Sequence, residues 1–253
     1  MAKNGILALV ILSICHIFSN VDAFAASAWY QATATFYGGA DAAGTMSGAC
    51  GYGNTYNAGY GTSITALSTP LFQGGASCGN CYRIVCNYRK DPTWCIPNKG
   101  ITVTATDLCP YGSFGGWCDP GKVHFDMSQP AWNTIGILLG GAVPVVYQRV
   151  PCHRHGGMRF TINGNQWFNL VLISNVNQAG SISAISIKGS NTDWVPMSCN
   201  WGVNWQSSTV VVGQSLSFRV TSTSGAVVTC NNIADSYWAF GQTFSAKYCN
   251  FAN

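Results

Sequence analysis

The chain has 253 residues, of which 47% are hydrophobic and only 8% charged, with a formal net charge of +4. That balance excludes an intrinsically disordered chain, because there is ample apolar surface to bury and little charge to resist burial. No block of lysines and arginines appears, which argues against nucleic acid as a partner; a mildly basic, aromatic-rich protein suits a neutral or weakly acidic polymer instead.

The first element in chain order is not part of the fold. Lys3 precedes an apolar run from Ile6 to Ile14, and small residues follow at Ala23 and Ala25-Ala26. This is a secretory leader, taken as residues 1–24, with cleavage between Ala23 and Ala26. The run is too short to span a bilayer, and no later segment reads as transmembrane. The expected product is exported and soluble, peripheral to a membrane at most. It has no Asn-X-Ser/Thr acceptor for N-glycosylation.

Export sets the reading of the cysteines. Cys15 leaves with the leader, and eight lie between Cys50 and Cys152. Cys78-Gly79-Asn80-Cys81 has the spacing of a zinc or redox motif, but in an exported chain disulfides are the better reading. Eight cysteines in about a hundred residues imply four bridges stapling one loop-rich domain. Cys199, Cys230 and Cys249 form an odd set, so one should be free or pair between chains.

Thr33 to Tyr37, Tyr82 to Cys86, Ile101 to Thr106 and Val143 to Val150 read as strands. Short helices are expected at Ser63 to Phe72 and Gln129 to Leu138. Many short strands joined by Gly-rich loops suggest a small cross-linked β-barrel over residues 25–152. A polar, Gly-containing hinge follows at 153–157. His153 and His155 could form a metal pair, but no third ligand is evident, and no metal or organic cofactor is expected. Beyond it, Arg159 to Ile162, Trp167 to Ile173, Ser181 to Ile187, Thr209 to Val212, Ser215 to Thr221 and Ala226 to Thr229 read as strands, with Asn163-Gly164 as a hairpin turn. Strands at this spacing suggest a β-sandwich over 158–253.

One segment carries most of the chemistry: Val123-His124-Phe125-Asp126-Met127-Ser128-Gln129-Pro130. It sets a carboxylate between two apolar residues, in a chain with no glutamate. An Asp so held loses hydration, and its charged form is disfavoured. That is how a carboxylic acid becomes a proton donor at mildly acid pH. Cleaving a glycosidic bond normally takes two carboxylates. Of the first-half acids, Asp91 and Asp119 each precede a proline and read as turn residues, leaving Asp41, Asp107 and Asp126.

The ordered runs Thr35-Phe36-Tyr37-Gly38-Gly39, Gly48-Ala49-Cys50-Gly51-Tyr52-Gly53, Cys78-Gly79-Asn80-Cys81, Thr104-Ala105-Thr106-Asp107-Leu108-Cys109-Pro110 and His124-Phe125-Asp126 resemble those of plant expansins. Gly156 to Gly164 and Phe168 to Ile173 point to the α-expansin branch. The resemblance spans essentially the whole mature chain. It implies a double-psi β-barrel similar to family-45 endoglucanases, followed by an immunoglobulin-like β-sandwich.

In those enzymes the Asp of His-Phe-Asp is the catalytic acid, which carries over to Asp126. Their base falls at the position of Gly39, which has no side chain. The resemblance therefore implies a secreted cell-wall protein that loosens non-covalent contacts between cellulose and matrix glycans such as xyloglucan, acting as a monomer without hydrolysis and activated by acid. A polysaccharide-cleaving endoglucanase or lytic transglycosylase is the alternative, and a purely binding or defence protein of the barwin kind the second rival. The implied groove comprises Thr35, Tyr37, Asp107, His124 and Asp126. Asp107 departs from the usual α-expansin Asn. The implied disulfides are Cys50–Cys78, Cys81–Cys152 and Cys86–Cys95, leaving Cys109–Cys118. The implied cellulose-binding aromatics are Trp167, Phe168 and Trp201. Of these Trp201 is expected exposed, joined by one of Trp167 and Phe168, because strand alternation sends those two to opposite faces. Trp205 is a weaker candidate.

Overall fold

The computed structural model describes residues 24–112 and 116–252; the expected leader, save Phe24, lies outside them. Six strands form a closed barrel: β1 (Tyr30–Tyr37), β2 (Ile64–Ser68), β3 (Cys81–Cys86), β4 (Gly100–Cys109), β5 (His124–Ser128) and β6 (Val143–Val150). They lie in the order β1-β5-β2-β4-β3-β6. β1 runs parallel to β5, and β2 to β4; the other neighbours are antiparallel. Two interleaved parallel pairs in a six-stranded closed sheet are the double-psi arrangement. The inward residues of these strands, among them Ala34, Ile64, Ile84, Val103, Phe125 and Met127, are fully buried.

The helix expected over Ser63 to Phe72 is mostly a strand. Ile64–Ser68 is β2, buried at every position, and only Thr69–Phe72 forms one turn, α1. A strand covered on both faces shows no alternation, so a short apolar run looks alike as strand or helix. The second expected helix shrinks to α2 (Gln129–Trp132), capped by the Ser128 hydroxyl accepting from the Ala131 N–H. The chain then turns over residues 133–135, and Gly136 pairs with Cys95; a Cβ at Gly136 would crowd the Trp132 indole.

Eight strands follow: β7 (Arg159–Asn165), β8 (Phe168–Ser174), β9 (Ile182–Gly189), β10 (Val195–Trp201), β11 (Asn204–Ser207), β12 (Leu216–Ser222), β13 (Val227–Ala234) and β14 (Gln242–Ser245). They run β13-β12-β9-β10-β11-β8-β7-β14. The sheet folds on itself at β10, whose Val195–Met197 half pairs with β9 and whose Ser198–Trp201 half pairs with β11. The two layers so made enclose one core, in which Phe160 of β7 stacks on Phe218 of β12 at 4.6 Å.

Two expectations here are corrected. The β7–β8 hairpin turns at Gln166 and Trp167, not at Asn163-Gly164, which pair in register with Leu170 and Asn169. Gly164 earns its place differently: a Cβ there would lie 1.9 Å from the Phe168 carbonyl oxygen. Thr209 to Val212 is not a strand but a connection whose Val211 is buried. Its β-branched run reflects that anchoring.

The segment 153–157 is anchored on both sides by hydrogen bonds. Cys152 exchanges backbone hydrogen bonds with Gln178. The Arg154 N–H donates to Asn177 Oδ1 at 2.6 Å, and its guanidinium donates to Thr104 while covering the Tyr60 ring at 4.6 Å. His153 and His155 are exposed, and no group of three or more metal-ligating side chains occurs among the described residues.

Among the described residues there are five disulfides: Cys50–Cys78, Cys81–Cys152, Cys86–Cys95, Cys109–Cys118 and Cys230–Cys249. The odd late cysteine is Cys199, exposed and outside any disulfide.

Candidate functional site

The site begins with the parallel pairing of β1 and β5, which sets Thr33 beside His124 and Thr35 beside Asp126. Thr35 Oγ1 donates to Asp126 Oδ1 at 2.7 Å and also lies 2.8 Å from His124 Nε2. Thr33 Oγ1 lies 2.7 Å from His124 Nδ1. Thr35 has one hydroxyl hydrogen, and it goes to Asp126. His124 therefore holds its proton on Nε2 and donates to Thr35, while bare Nδ1 accepts from Thr33. The result is a directed chain, Thr33 to His124 to Thr35 to Asp126.

A neutral imidazole suits that chain, and the surroundings enforce it. Burial, with the Lys122 charge second, pushes His124 down to about 4. His124 was expected to line the groove. It is instead fully buried, because β5 starts against Ser68, whose hydroxyl accepts the His124 backbone N–H. It backs the cluster through its hydrogen bond to Thr35.

Asp126 is half-buried at the far end of this chain. Burial raises its pKa above the usual carboxylate value, the Thr35 hydrogen bond pulls it back, and the Asp107 charge raises it further. Asp107 reaches the same region from the end of β4. Its Oδ1 accepts the backbone N–H groups of Ala49 at 2.6 Å and Leu108 at 2.8 Å, and Oδ2 accepts the Tyr37 hydroxyl at 3.2 Å. Tyr37 holds its proton firmly: burial, then Asp107, lifts its pKa. The close Ala49 contact depends on Gly48, where a Cβ would stand 2.7 Å from Asp107 Cβ and Cγ. Thr35, Tyr37, Asp107 and Asp126 are thus brought together.

Asp41 is exposed and accepts the Ala43 N–H within its own turn. Trp117 was missed by sequence reasoning. It is 51% exposed and stacks on His124 with ring centroids 5.9 Å apart. The available signal was a Trp beside Gly116 inside the short Cys109–Cys118 loop, where it has little core to enter.

The expected aromatics lie on the sandwich. Trp201 is 49% exposed, pairs with Asn204, and shares the outer parity of Phe168, Leu170 and Leu172. Trp167 is 66% exposed at the hairpin tip, so strand alternation does not constrain it; Phe168 is half-buried. Trp205 is ruled out as a surface residue: it faces inward opposite Val171 and is 7% exposed.

The two halves of the site meet. A Cβ on Gly51 would lie 2.9 Å from the Trp201 ring, and the Val203 N–H donates to the Cys50 carbonyl at 3.0 Å. The loop Gly48–Gly51 therefore touches Asp107 at one end and Trp201 at the other.

With this geometry in hand, comparison with known proteins is direct. A family model described as lytic transglycolase matches residues 64–147, and the expansin C-terminal domain model matches residues 158–234. Expansin-A13 of Oryza sativa subsp. japonica is 54% identical over 90% of this chain and 89% of its own. Expansin-A12 of Arabidopsis thaliana is 48% identical over 87% and 88%. Among solved structures, the apo Clavibacter michiganensis expansin has a TM-score of 0.67 at 18% identity, covering 86% of this chain and 96% of that one. A mutant of that protein in complex with cellohexaose gives 0.65 at 17%. At such identity the structures speak for the fold alone. The sequence relatives decide the family: this chain belongs to the plant expansins, in the α branch.

Proposed function

We propose that this α-expansin is secreted to the plant cell wall and loosens it without cutting polysaccharide. The carrying observation is the cluster of Thr35, Tyr37, Asp107 and Asp126, in which one carboxyl, Asp126, has its pKa raised by burial. Asp126, with its raised pKa, is suited to hold a proton at mildly acid pH and donate a hydrogen bond to a glycan oxygen. The family-45 likeness assigns the water-activating base to the position of Gly39, which has no side chain, and the nearby Asp41 carboxylate is engaged in its own turn. Asp107, the other carboxylate beside Asp126, is taken up by two backbone N–H groups and the Tyr37 hydroxyl, so an inverting cleavage has no free group to activate water.

Docking falls to the outer face of the sandwich. The flat faces of cellulose chains suit the exposed rings of Trp201 and Trp167, with Phe168 beside them. Matrix glycans such as xyloglucan are the second partner, held by Thr35, Tyr37, Asp107 and Asp126. One observation favours a second reading. The barrel matches a lytic transglycolase model, and such chemistry needs a single acid because the sugar supplies its own nucleophile.

The test is product analysis after long incubation with cellohexaose, xyloglucan oligosaccharides and cellulose at mildly acid pH. The proposal expects neither new reducing ends nor anhydro-sugars. New reducing ends alone restore the hydrolase, and anhydro-sugars restore the transglycosylase.

A further inference from the structure

The sandwich carries a second polar platform on the sheet away from Trp201. In β9, β12 and β13 the inward residues Ile185, Ile187, Phe218, Val220 and Cys230 fill the core. Alternation then sends Lys188, Arg219 and Thr229 outward. Register sets Ser217 opposite Lys188, and Arg219 between Ser186 and Thr229. Trp194, just before β10, lies against both cations: the Arg219 guanidinium carbon is 4.4 Å and the Lys188 ammonium 5.9 Å from its ring centroid.

Lys188, Trp194, Ser217, Arg219, Thr229 and Asn231 line a concavity of about 440 Å³. Among the described residues neither cation has an ion pair, and the side chains of Lys188, Arg219 and Asn231 make no hydrogen bond within the protein. Two like charges on neighbouring strands repel, and one shared indole offsets only part of that. Free donors of this kind, in a concave site without a carboxylate, are complementary to an anion.

The donor set selects among anions. A guanidinium fork matches a planar carboxylate. Hydroxyl and amide groups beside an indole match a sugar ring. We propose that this face is a second glycan site, specific for a uronic acid unit in a polysaccharide. Arg219 and Lys188 hold the carboxylate, Trp194 packs on the ring, and Asn231 and Thr229 take hydroxyls. The sandwich would then hold an acidic glycan on one sheet while its other sheet meets a neutral one. Neither the barrel groove nor the Trp201 face is required for this binding.

The test uses the whole mature protein and tri-galacturonic acid, followed through the Trp194 indole N–H signal in NMR, with its assignment from Trp194→Phe. Fully methyl-esterified trimer, cellohexaose and sodium sulfate at matched ionic strength are the comparators. The acid trimer should shift Trp194, and its affinity should fall about tenfold in each of Arg219→Gln and Lys188→Gln. Trp201→Ala should leave it unchanged. Binding that the methyl ester or sulfate reproduces overturns the uronic-acid assignment. Binding that survives both charge-removing variants, each with an unchanged melting temperature, or that disappears in Trp201→Ala, overturns the site.

Discussion

Thr35 decides how Asp126 behaves, because a single hydroxyl cannot donate in two directions. While Asp126 is ionised it receives that hydrogen, and His124 must present Nε2–H. When Asp126 takes a proton on Oδ1 the chain can run backward, Thr35 then donating to Nε2 and Nδ1–H to Thr33. We expect the ¹⁵N shifts of His124 to exchange tautomeric character as Asp126 titrates, and to stay fixed in Asp126→Asn. A tautomer indifferent to pH would disprove the coupling.

The stability signs are opposed. Asp126 has a raised folded pKa, so the native state binds more protons, and stability falls as pH rises from its unfolded value of 3.8 to its folded value. His124 is lowered from 6.5 to about 4, so the unfolded state binds more protons there, and stability rises between those pH values. Asp126→Asn removes the first slope. Its stability should climb by about 2–3 kcal/mol from pH 4 to 6.5 and match or exceed the parent at pH 7, as denaturant titrations would show. The burial that raises the Asp126 pKa was legible from its apolar neighbours Phe125 and Met127; that His124 would be buried was not, because only the pairing of β1 with β5 supplies the two threonines.

At the level of elements, the loop Gly48–Gly51 lies against Asp107 at one end and the Trp201 ring at the other. Gly48→Ala would push its Cβ into Asp107, displace the carboxylate from the Ala49 N–H and reduce wall loosening several-fold, with cellulose binding kept. Trp201→Ala should do the reverse in a cellulose pull-down, abolishing binding with little change in stability. Trp205→Ala should cost about 3–5 kcal/mol, as expected for emptying a core Trp site. Alternation explains what sequence could tell about these rings. It held along β8, where Phe168, Leu170 and Leu172 share one face. It failed for Trp167, because the glycine signal at Gly164 marks a close backbone approach and the turn comes two residues later. Likewise β2 was hidden because a strand covered on both faces has no period to detect.

At the scale of the whole molecule, the covalent frame is unequal. The barrel has three disulfides within it and Cys81–Cys152 at its exit; the sandwich has Cys230–Cys249. Replacing Cys230 and Cys249 by Ser should cost the sandwich about 3 kcal/mol, mainly through a freer unfolded chain, and lower its melting temperature. The two-part architecture was legible from cysteine density and strand spacing. The fixed seam was not, since it rests on contacts such as Gly79 with Gly180 and Val203 in the barrel core, which pair residues far apart in sequence. The central claim is that this protein loosens walls through a protonated Asp126 and breaks no covalent bond. Its most direct test is the extension of heat-inactivated wall strips under constant load in acid buffer, with reducing ends counted in the same bath, for the parent and Asp126→Asn. The parent should extend the strips without new ends, and the variant should extend them little. Extension that comes with new reducing ends, or that the variant retains in full, would contradict it.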